Sequence, residues 1–282
     1  MKTIDLHTHS NCSDGSMTPR ELVKHAASRG VSAIALSDHD TVAGIDEAIE
    51  AGKEYGVEIV PAIEFSVQSA TETHILGFYI DHKSEILTEA LKKINAVRWQ
   101  RTVNTCENLQ KLGFDVTMDE ALAIAPSGLI GRAHFARILM EKGYVASVKE
   151  GFEKYLANGR PAYDGTQALT AKEAVELINS IGGVAFVAHP HLIRLDDKEL
   201  RSFLLSLKES GLTGIEGYYN EYTHEMQDYF QELAKELGLE ICGGTDFHAR
   251  MKPHIEIGIG QGNMQIPYEV LENIKNIVSA KR

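Results

Sequence analysis

Short apolar runs alternate along the chain with segments whose apolar residues recur at helical spacing. TIDLH, SAIALSDHD, VEIVPAIEF and ETHILGFYI read as strands 1 to 4. VAFVAHPH, GIEGYY and LEICGGTDFH read as later strands, and IEIGIG is a further candidate. Helical patterns lie between them. In TPRELVKHAASRG, Thr18 is placed to cap the helix, Pro19 takes its first position and Gly30 follows its end. Further helices are expected near 43–55, 170–181, 196–210, 223–237 and 267–279. Strand–helix alternation of this kind predicts an α/β fold with a parallel sheet, open or closed. The strands are rich in Ile, Val and Ala, as burial on both faces demands.

The rhythm breaks between residues 97 and 165. Helical candidates at 84–111, 117–125, 131–142 and 147–155 follow one another without a strand. The expected organisation is a discontinuous α/β domain, 1–96 and 166–282. A small helical insertion at 97–165 would act as a lid or substrate domain.

Composition narrows the classes. A chain of 282 residues suits one large α/β domain, or one with an insertion. A net charge of −12 argues against a long, non-specific nucleic-acid footprint, though it allows a local basic pocket. Cys12, Cys106 and Cys242 show neither metal spacing nor a disulfide framework, which points to a reducing compartment. Lys2 and Asp5 interrupt any signal-peptide pattern, and no apolar stretch reaches the ~18 residues of a membrane span. A cytoplasmic protein is expected, with no membrane association and no obligatory protein partner.

The chemistry gathers at strand ends. His7 and His9 end strand 1, two residues apart and so on one face. Asp14 follows. Asp38, His39 and Asp40 end strand 2, Glu64 ends strand 3, and His74 lies in strand 4. His189 and His191 end VAFVAHPH, and Asp246 and His248 end LEICGGTDFH. In parallel α/β proteins the C-terminal strand ends meet on one rim, where active sites lie. A buried group of carboxylates and imidazoles is costly without a cation. Nitrogen and oxygen ligands without thiolate suit Zn, Mn or Fe, and the number of ligands suits two or three ions. Such ions outweigh the charge of Asp14, Glu64 and Asp246, so the site favours an anionic substrate. Metal ions that bind phosphoryl oxygens and activate water match phosphate ester hydrolysis.

HTHSNCSDG, SDHD, the Glu64 strand end, AHPH and GGTDFH together resemble the PHP (polymerase and histidinol phosphatase) family. The resemblance implies a distorted (β/α)7 barrel over residues 1–96 and 166–282, with a trinuclear metal site. It implies metal ligation by His7, His9, Glu64 and Asp246, by Glu64, His74 and His189, and by Asp14, His39 and His248. Asp14 stands where some members have a histidine. His7, His9, Glu64, His189, Asp246 and His248 form the implied catalytic set, and His191 is spare.

RWQR (98–101), GRAHFAR (131–137) and NGRPAY (158–163) are similar to the insertion of PHP phosphoesterases acting on 3′,5′-nucleoside bisphosphates and on 5′ ends of short RNA. The resemblance implies a phosphatase releasing a 3′-phosphate by metal-hydroxide attack, with Arg98, Arg101, Arg132, His134 and Arg160 binding substrate. Arginine forks suit phosphate. Asp164-Gly165 follows NGRPAY where a basic residue would have strengthened that reading. Tyr218 and Tyr219 could stack a base, though packing explains them as well. The alternatives are a 5′→3′ exonuclease on short RNA or DNA, or a cyclic phosphodiesterase. Further off lie a histidinol phosphatase, a C–N hydrolase and a non-catalytic PHP module. The expected partner is a small phosphorylated nucleotide or a short oligonucleotide.

Overall fold

The computed structural model describes residues 2–69, 71–125 and 129–281. The chain enters strand β1 (Thr3–Thr8), and helix α1 (Pro19–Ser28) follows. Thr18 caps α1 by accepting from the Glu21 N–H, and the Glu21 carboxylate accepts the Thr18 N–H in return. Strand β2 (Val31–Leu36), helix α2 (Ile45–Tyr55) and strand β3 (Glu58–Ser66) continue the alternation.

Strand β4 (His74–Phe78) then breaks the parallel order. It pairs antiparallel with β3, because residues 67–73 are too few to hold a crossover helix. The parallel sheet expected from the strand–helix alternation is interrupted at this hairpin. The helical run follows as α3 (Glu85–Lys111), α4 (Met118–Ile124), α5 (Arg132–Glu141) and α6 (Val148–Gly151), with a π-helical turn at Phe152–Leu156. Helix α7 (Ala171–Ser180) leads into strand β5 (Val184–Val187), which is antiparallel to β4. Helix α8 (Asp197–Glu209), strand β6 (Leu212–Tyr219), helix α9 (His224–Leu237), strand β7 (Glu240–Gly244) and helix α10 (Tyr268–Lys281) complete the order.

The strands lie in the order β1 to β7 in one seven-stranded sheet. It curls until its two edges nearly meet. Thr8 bridges Phe247 in parallel, and the His9 N–H donates to the Phe247 carbonyl at 2.9 Å. The candidate strand IEIGIG is instead a turn closed by a Glu256–Gly260 bridge. Gly258 and Gly260 adopt φ of 76° and 60°, a left-handed backbone that ends strand pairing and suits glycine.

Alternate residues of each strand face inward. Ile4 and Leu6, Ala33 and Ala35, Val60 and Ala62, and Leu76 and Phe78 fill the barrel with Val184 and Phe186. Leu271 and Ile274 of α10 join this cluster. The opposite faces pack against α1, α2 and α7 to α9 in a second cluster. Period-two spacing continues the inner columns upward, from Val60 and Ala62 to Glu64, and from Phe78 and Leu76 to His74. The helical run has its own apolar cluster, with Leu109, Val116, Ala121, Phe135, Leu139 and Leu156 buried together. Helix α3 spans both regions: Leu87, Leu91 and Ile94 pack toward the barrel, and Cys106 and Leu109 pack into the helical cluster. Among the described residues no helix is long and apolar enough to cross a membrane.

Candidate metal centre

The inner columns end in a polar floor. His7, His9 and Glu64 are completely buried there, and His74, His189, Asp246 and His248 nearly so. β7 comes close enough to β1 to close the rim only because residue 244 is glycine. A Cβ at Gly244 would lie 2.2 Å from His7 Cβ and 2.3 Å from its backbone nitrogen. Asp38 fixes the loop that carries Asp14. Its carboxylate accepts the Ser10 N–H at 2.8 Å, the Ser10 hydroxyl at 2.6 Å and the Ser13 hydroxyl at 2.5 Å. Asp40, His189 and Asp246 hold positive φ of 52°, 28° and 54°, a strain that clusters at this rim.

All nine residues anticipated as metal ligands converge. Glu64 is the hub. Its Oε2 lies 3.3 Å from His7 Nε2, 3.3 Å from His9 Nε2 and 3.1 Å from His39 Nδ1. Its Oε1 lies 2.9 Å from His74 Nδ1 and 3.2 Å from His189 Nε2. Asp246 Oδ1 stands 3.5 Å from His7 Nε2 and 3.2 Å from His9 Nε2. Asp14 Oδ1 stands 3.1 Å from His248 Nε2. Three groups can each bring their donor atoms within 4.8 Å of one another: His7, His9 and Asp246; His39, Glu64 and His74; and His9, Asp14, His39 and His248. The geometry puts His39 beside Glu64 and His74, where the resemblance had put His189. His189 reaches the same carboxylate from the other side.

The donor atoms fit divalent cations. His7 Nε2, both ring nitrogens of His9, His39 Nδ1, His189 Nδ1 and Glu64 Oε2 are buried without a hydrogen-bond partner. Several of these atoms sit at 3.1 to 3.3 Å from one another yet are not aligned to donate. So many orphaned polar atoms around one buried carboxylate are a liability unless a cation engages them.

The charges tell the same story. Burial alone would push the Asp14, Glu64 and Asp246 carboxyls up. The surrounding cationic groups win and hold all three well below the usual range: His248 and His39 for Asp14, His39 and His7 for Glu64, Lys252 and His248 for Asp246. Burial opposes a charge on His9, but Asp246 and Glu64 lift it to about 9. Without ions, imidazoles supply the positive charge that these carboxylates require.

Two participants, Glu216 and Lys252, were not anticipated. Glu216 of β6 is completely buried. Its Oε1 is 2.9 Å from His7 Nδ1, and its Oε2 accepts the His189 N–H at 2.6 Å. A carboxylate behind a metal-facing histidine fixes which ring nitrogen carries the proton. The lone acidic residue inside the apolar run GIEGYY was the available signal. The Lys252 ammonium contacts Asp246 Oδ2, as does the Tyr219 hydroxyl at 2.9 Å. Tyr219 is 3% exposed, so it packs and hydrogen-bonds rather than offering a stacking face. His191 pairs with Glu221 at 3.2 Å and packs against Tyr219 and Tyr222, away from the donor groups.

The helical run brings some of its basic residues to the rim. Arg98 is buried, with Nη1 2.6 Å from Asp40 Oδ2. Arg132 lies 3.6 Å from Glu72 and stacks over the Phe152 and Tyr163 rings. Arg101 is half-buried and makes no ion pair among the described residues. Burial and the neighbouring charges of Arg98 and Arg132 push it down to about 10. Buried His134 accepts the Gly131 N–H on Nδ1 at 3.0 Å, and its charged neighbours include Asp14 and Arg98. A Cβ at Gly131 would stand 3.3 Å from Arg98 Nη2 and 4.0 Å from Asp14 Oδ2, which measures how closely the start of α5 approaches the rim. Arg160 is exposed. Asp164 accepts from Asn104 at 2.7 Å and faces the charge of Arg101.

The PHP domain family matches residues 5–279. A 5′-3′ exoribonuclease of Haemophilus influenzae is 36% identical over 248 residues, 88% of this chain and 90% of that protein. A 3′,5′-nucleoside bisphosphate phosphatase of Chromobacterium violaceum is 34% identical over 251 residues, 88% of each chain. Among solved structures, one described as an amidohydrolase from Chromobacterium violaceum, with bound sulfate and no metal, superposes with a TM-score of 0.89. It is 31% identical and covers 99% of this chain and 96% of its own. A nearly closed seven-stranded barrel with histidines and carboxylates on one rim is what this similarity leads one to expect, and the chain belongs to the PHP family.

Proposed function

We propose that this chain is a phosphoesterase that removes the 3′-phosphate of a 3′,5′-nucleoside bisphosphate. The observation that carries the reading is Arg101: a half-buried guanidinium without an ion pair among the described residues, close to the charges of Arg98 and Arg132 on the helix whose Arg98 pairs with Asp40, the neighbour of His39. A guanidinium crowded by others gains most from an anion with several oxygens. The names of the relatives agree with a nucleotide phosphate as that anion.

His7, His9 and Asp246 would hold one ion, Glu64 with His74 and His189 a second, and Asp14, His39 and His248 a third. When bound, two or three such ions (Mn, Zn or Fe) would supply Lewis acidity and an activated water at neutral pH. The protein's own residues do the rest. Glu216 orients His7, and Asp38 holds the Asp14 loop. His134 uses Nδ1 as an acceptor, and burial keeps the ring neutral, so its proton sits on Nε2 as a donor for a phosphoryl or leaving oxygen. Arg101 and Arg132 receive the second phosphate. Exposed Arg160 is an outer contact. The helices of 97–165 act as the lid that carries these groups.

The test is phosphate release by the Mn- or Zn-loaded protein from adenosine 3′,5′-bisphosphate, AMP, a 5′-phosphorylated trinucleotide and histidinol phosphate. The bisphosphate is expected to lead, and Arg101→Met is expected to raise its KM about tenfold or more, the loss of one charge-assisted phosphate contact. Preference for the trinucleotide, with the same Arg101 dependence, would instead make the chain a 5′→3′ exonuclease, the reading that the Haemophilus relative favours. A bisphosphate KM indifferent to Arg101 would remove the distal phosphate site.

A further inference from the structure

A cavity of about 380 Å³ opens beside Arg98, on the side of α3 that faces the 129–130 segment. Asn95, Arg98, Trp99 and Thr102 line it from α3, with Thr41, Leu129 and Ile130 opposite. Their spacing along α3 (i, i+3, i+4, i+7) puts those four on one stripe. Thr102 is spent internally, since its hydroxyl bonds the Arg98 and Ile130 carbonyls at 2.9 and 3.3 Å. Two polar atoms are not. Asn95 Oδ1 and Arg98 Nε are buried without a hydrogen-bond partner, one an acceptor and the other a donor. Arg98 itself is only 5% exposed. At the mouth stands Trp99, 46% exposed, a large apolar ring that the fold leaves in water.

We infer that this cavity takes the nucleobase of the substrate. This rests on the nucleotide phosphoesterase reading and adds where the base goes. A flat heteroaromatic ring with polar groups on its edge suits a cavity lined by the Asn95 amide and the Arg98 guanidinium. Leu129 and Ile130 offer apolar walls, and Trp99 offers a stacking face. The volume exceeds what one base requires. The position agrees as well. Arg98 lines the cavity, and its Nη1 bonds Asp40, the neighbour of His39. A substrate whose phosphate lies on the rim and whose base lies in the cavity would be draped across Arg98. Trp99 thus binds substrate without touching the reacting atoms, and base-bearing substrates gain affinity over abasic ones.

Trp99 is the protein's only tryptophan, so it reports on its own site. Excited selectively, its emission in the metal-loaded protein is expected to be quenched by AMP in a saturable way and to be unmoved by ribose 5-phosphate. In parallel, kcat/KM is measured for adenosine 3′,5′-bisphosphate and for the 3,5-bisphosphate of 1-deoxyribose, which lacks the base. Trp99→Leu is expected to cut the preference for the base-bearing substrate about tenfold, the size of one base–aromatic stack. Asn95→Ala is expected to cut it in the same direction. Quenching by AMP without any phosphatase activity would keep the base site and sink the reaction. Activity with no quenching, or a Trp99→Leu loss equal for both substrates, would overturn the base site and leave the phosphoesterase standing.

Discussion

Glu216→Gln tests how the barrel prepares its metal centre. The carboxylate is completely buried and serves two donors, the His7 ring at 2.9 Å and the His189 backbone N–H at 2.6 Å. With Nδ1 of His7 donating to Glu216, the Nε2 lone pair is left facing Glu64 and Asp246. Glutamine keeps the shape, removes the charge and converts one acceptor into a donor. If the amide oxygen stays with His189, its NH2 faces His7 Nδ1. The His7 proton must then move to Nε2, the nitrogen turned toward the ligand cluster. If the oxygen stays with His7, a buried N–H of His189 faces an NH2, at a cost of about 1–3 kcal/mol. Either arrangement should weaken metal binding about 10- to 100-fold, the usual effect of removing such a partner. That range corresponds to roughly 1.4–2.7 kcal/mol. Competition with a chromophoric chelator reads the affinity directly, and circular dichroism checks that the barrel is intact. Wild-type affinity in a folded Glu216→Gln protein would refute the claim that Glu216 sets the proton position on His7.

Three further outcomes follow from the same geometry. Gly244→Ala should strip the centre of metal, because its Cβ would overlap His7 and force β1 and β7 apart. Metal content after dialysis against a metal buffer measures this, and full retention would contradict the closure. Arg98→Met leaves Asp40 buried and unpaired, which should cost about 3–5 kcal/mol in urea unfolding. The double variant with Asp40→Asn should recover most of that loss, and no recovery would mean that Arg98 acts through packing alone. Chelation should destabilise the metal-loaded protein by about 4 kcal/mol when the ion had been present at a thousand times its Kd. An unfolding curve unchanged by chelator would show that no ion occupies this cluster.

The sequence made the centre legible because its donors sit in compact runs at strand ends. HTHSNCSDG, SDHD, AHPH and GGTDFH each end or follow a strand, so strand direction alone carries them to one rim. What it hid were partners distant in the chain. Glu216 meets His7 across 209 residues, and Asp40 meets Arg98 across 58. No local pattern names either pair, although a glutamate inside an apolar strand run and an arginine on the inner stripe of α3 both needed an explanation. The reversed direction of β4 escaped for a different reason. Its apolar run is the same read either way, and only the short connection from β3 decides it. IEIGIG misled because its alternation looked like a strand, while its glycines were there to turn.

Arg98 and Arg101 divide what the sequence presented as a single group of arginines. Both come from the RWQR stretch, yet one helical turn separates their fates. Arg98 points back to the barrel and is neutralised by Asp40, which lets it be buried at all. Its removal should therefore act first on stability. Arg101 has no such partner among the described residues, in a chain with 40 acidic side chains against 28 basic ones. With carboxylates in such excess, an unpaired half-buried cation is not the default outcome of folding. Burial and the charges of Arg98 and Arg132 work against it, and Asp40 offsets them only in part. The cost is offset when an anion arrives, and the offset is largest for an anion with multiple oxygens. The same helix thus carries an arginine without an ion pair among the described residues and, one turn earlier, an arginine tied to the loop of His39. A phosphorylated substrate with divalent ions would supply the anion that the first of them lacks.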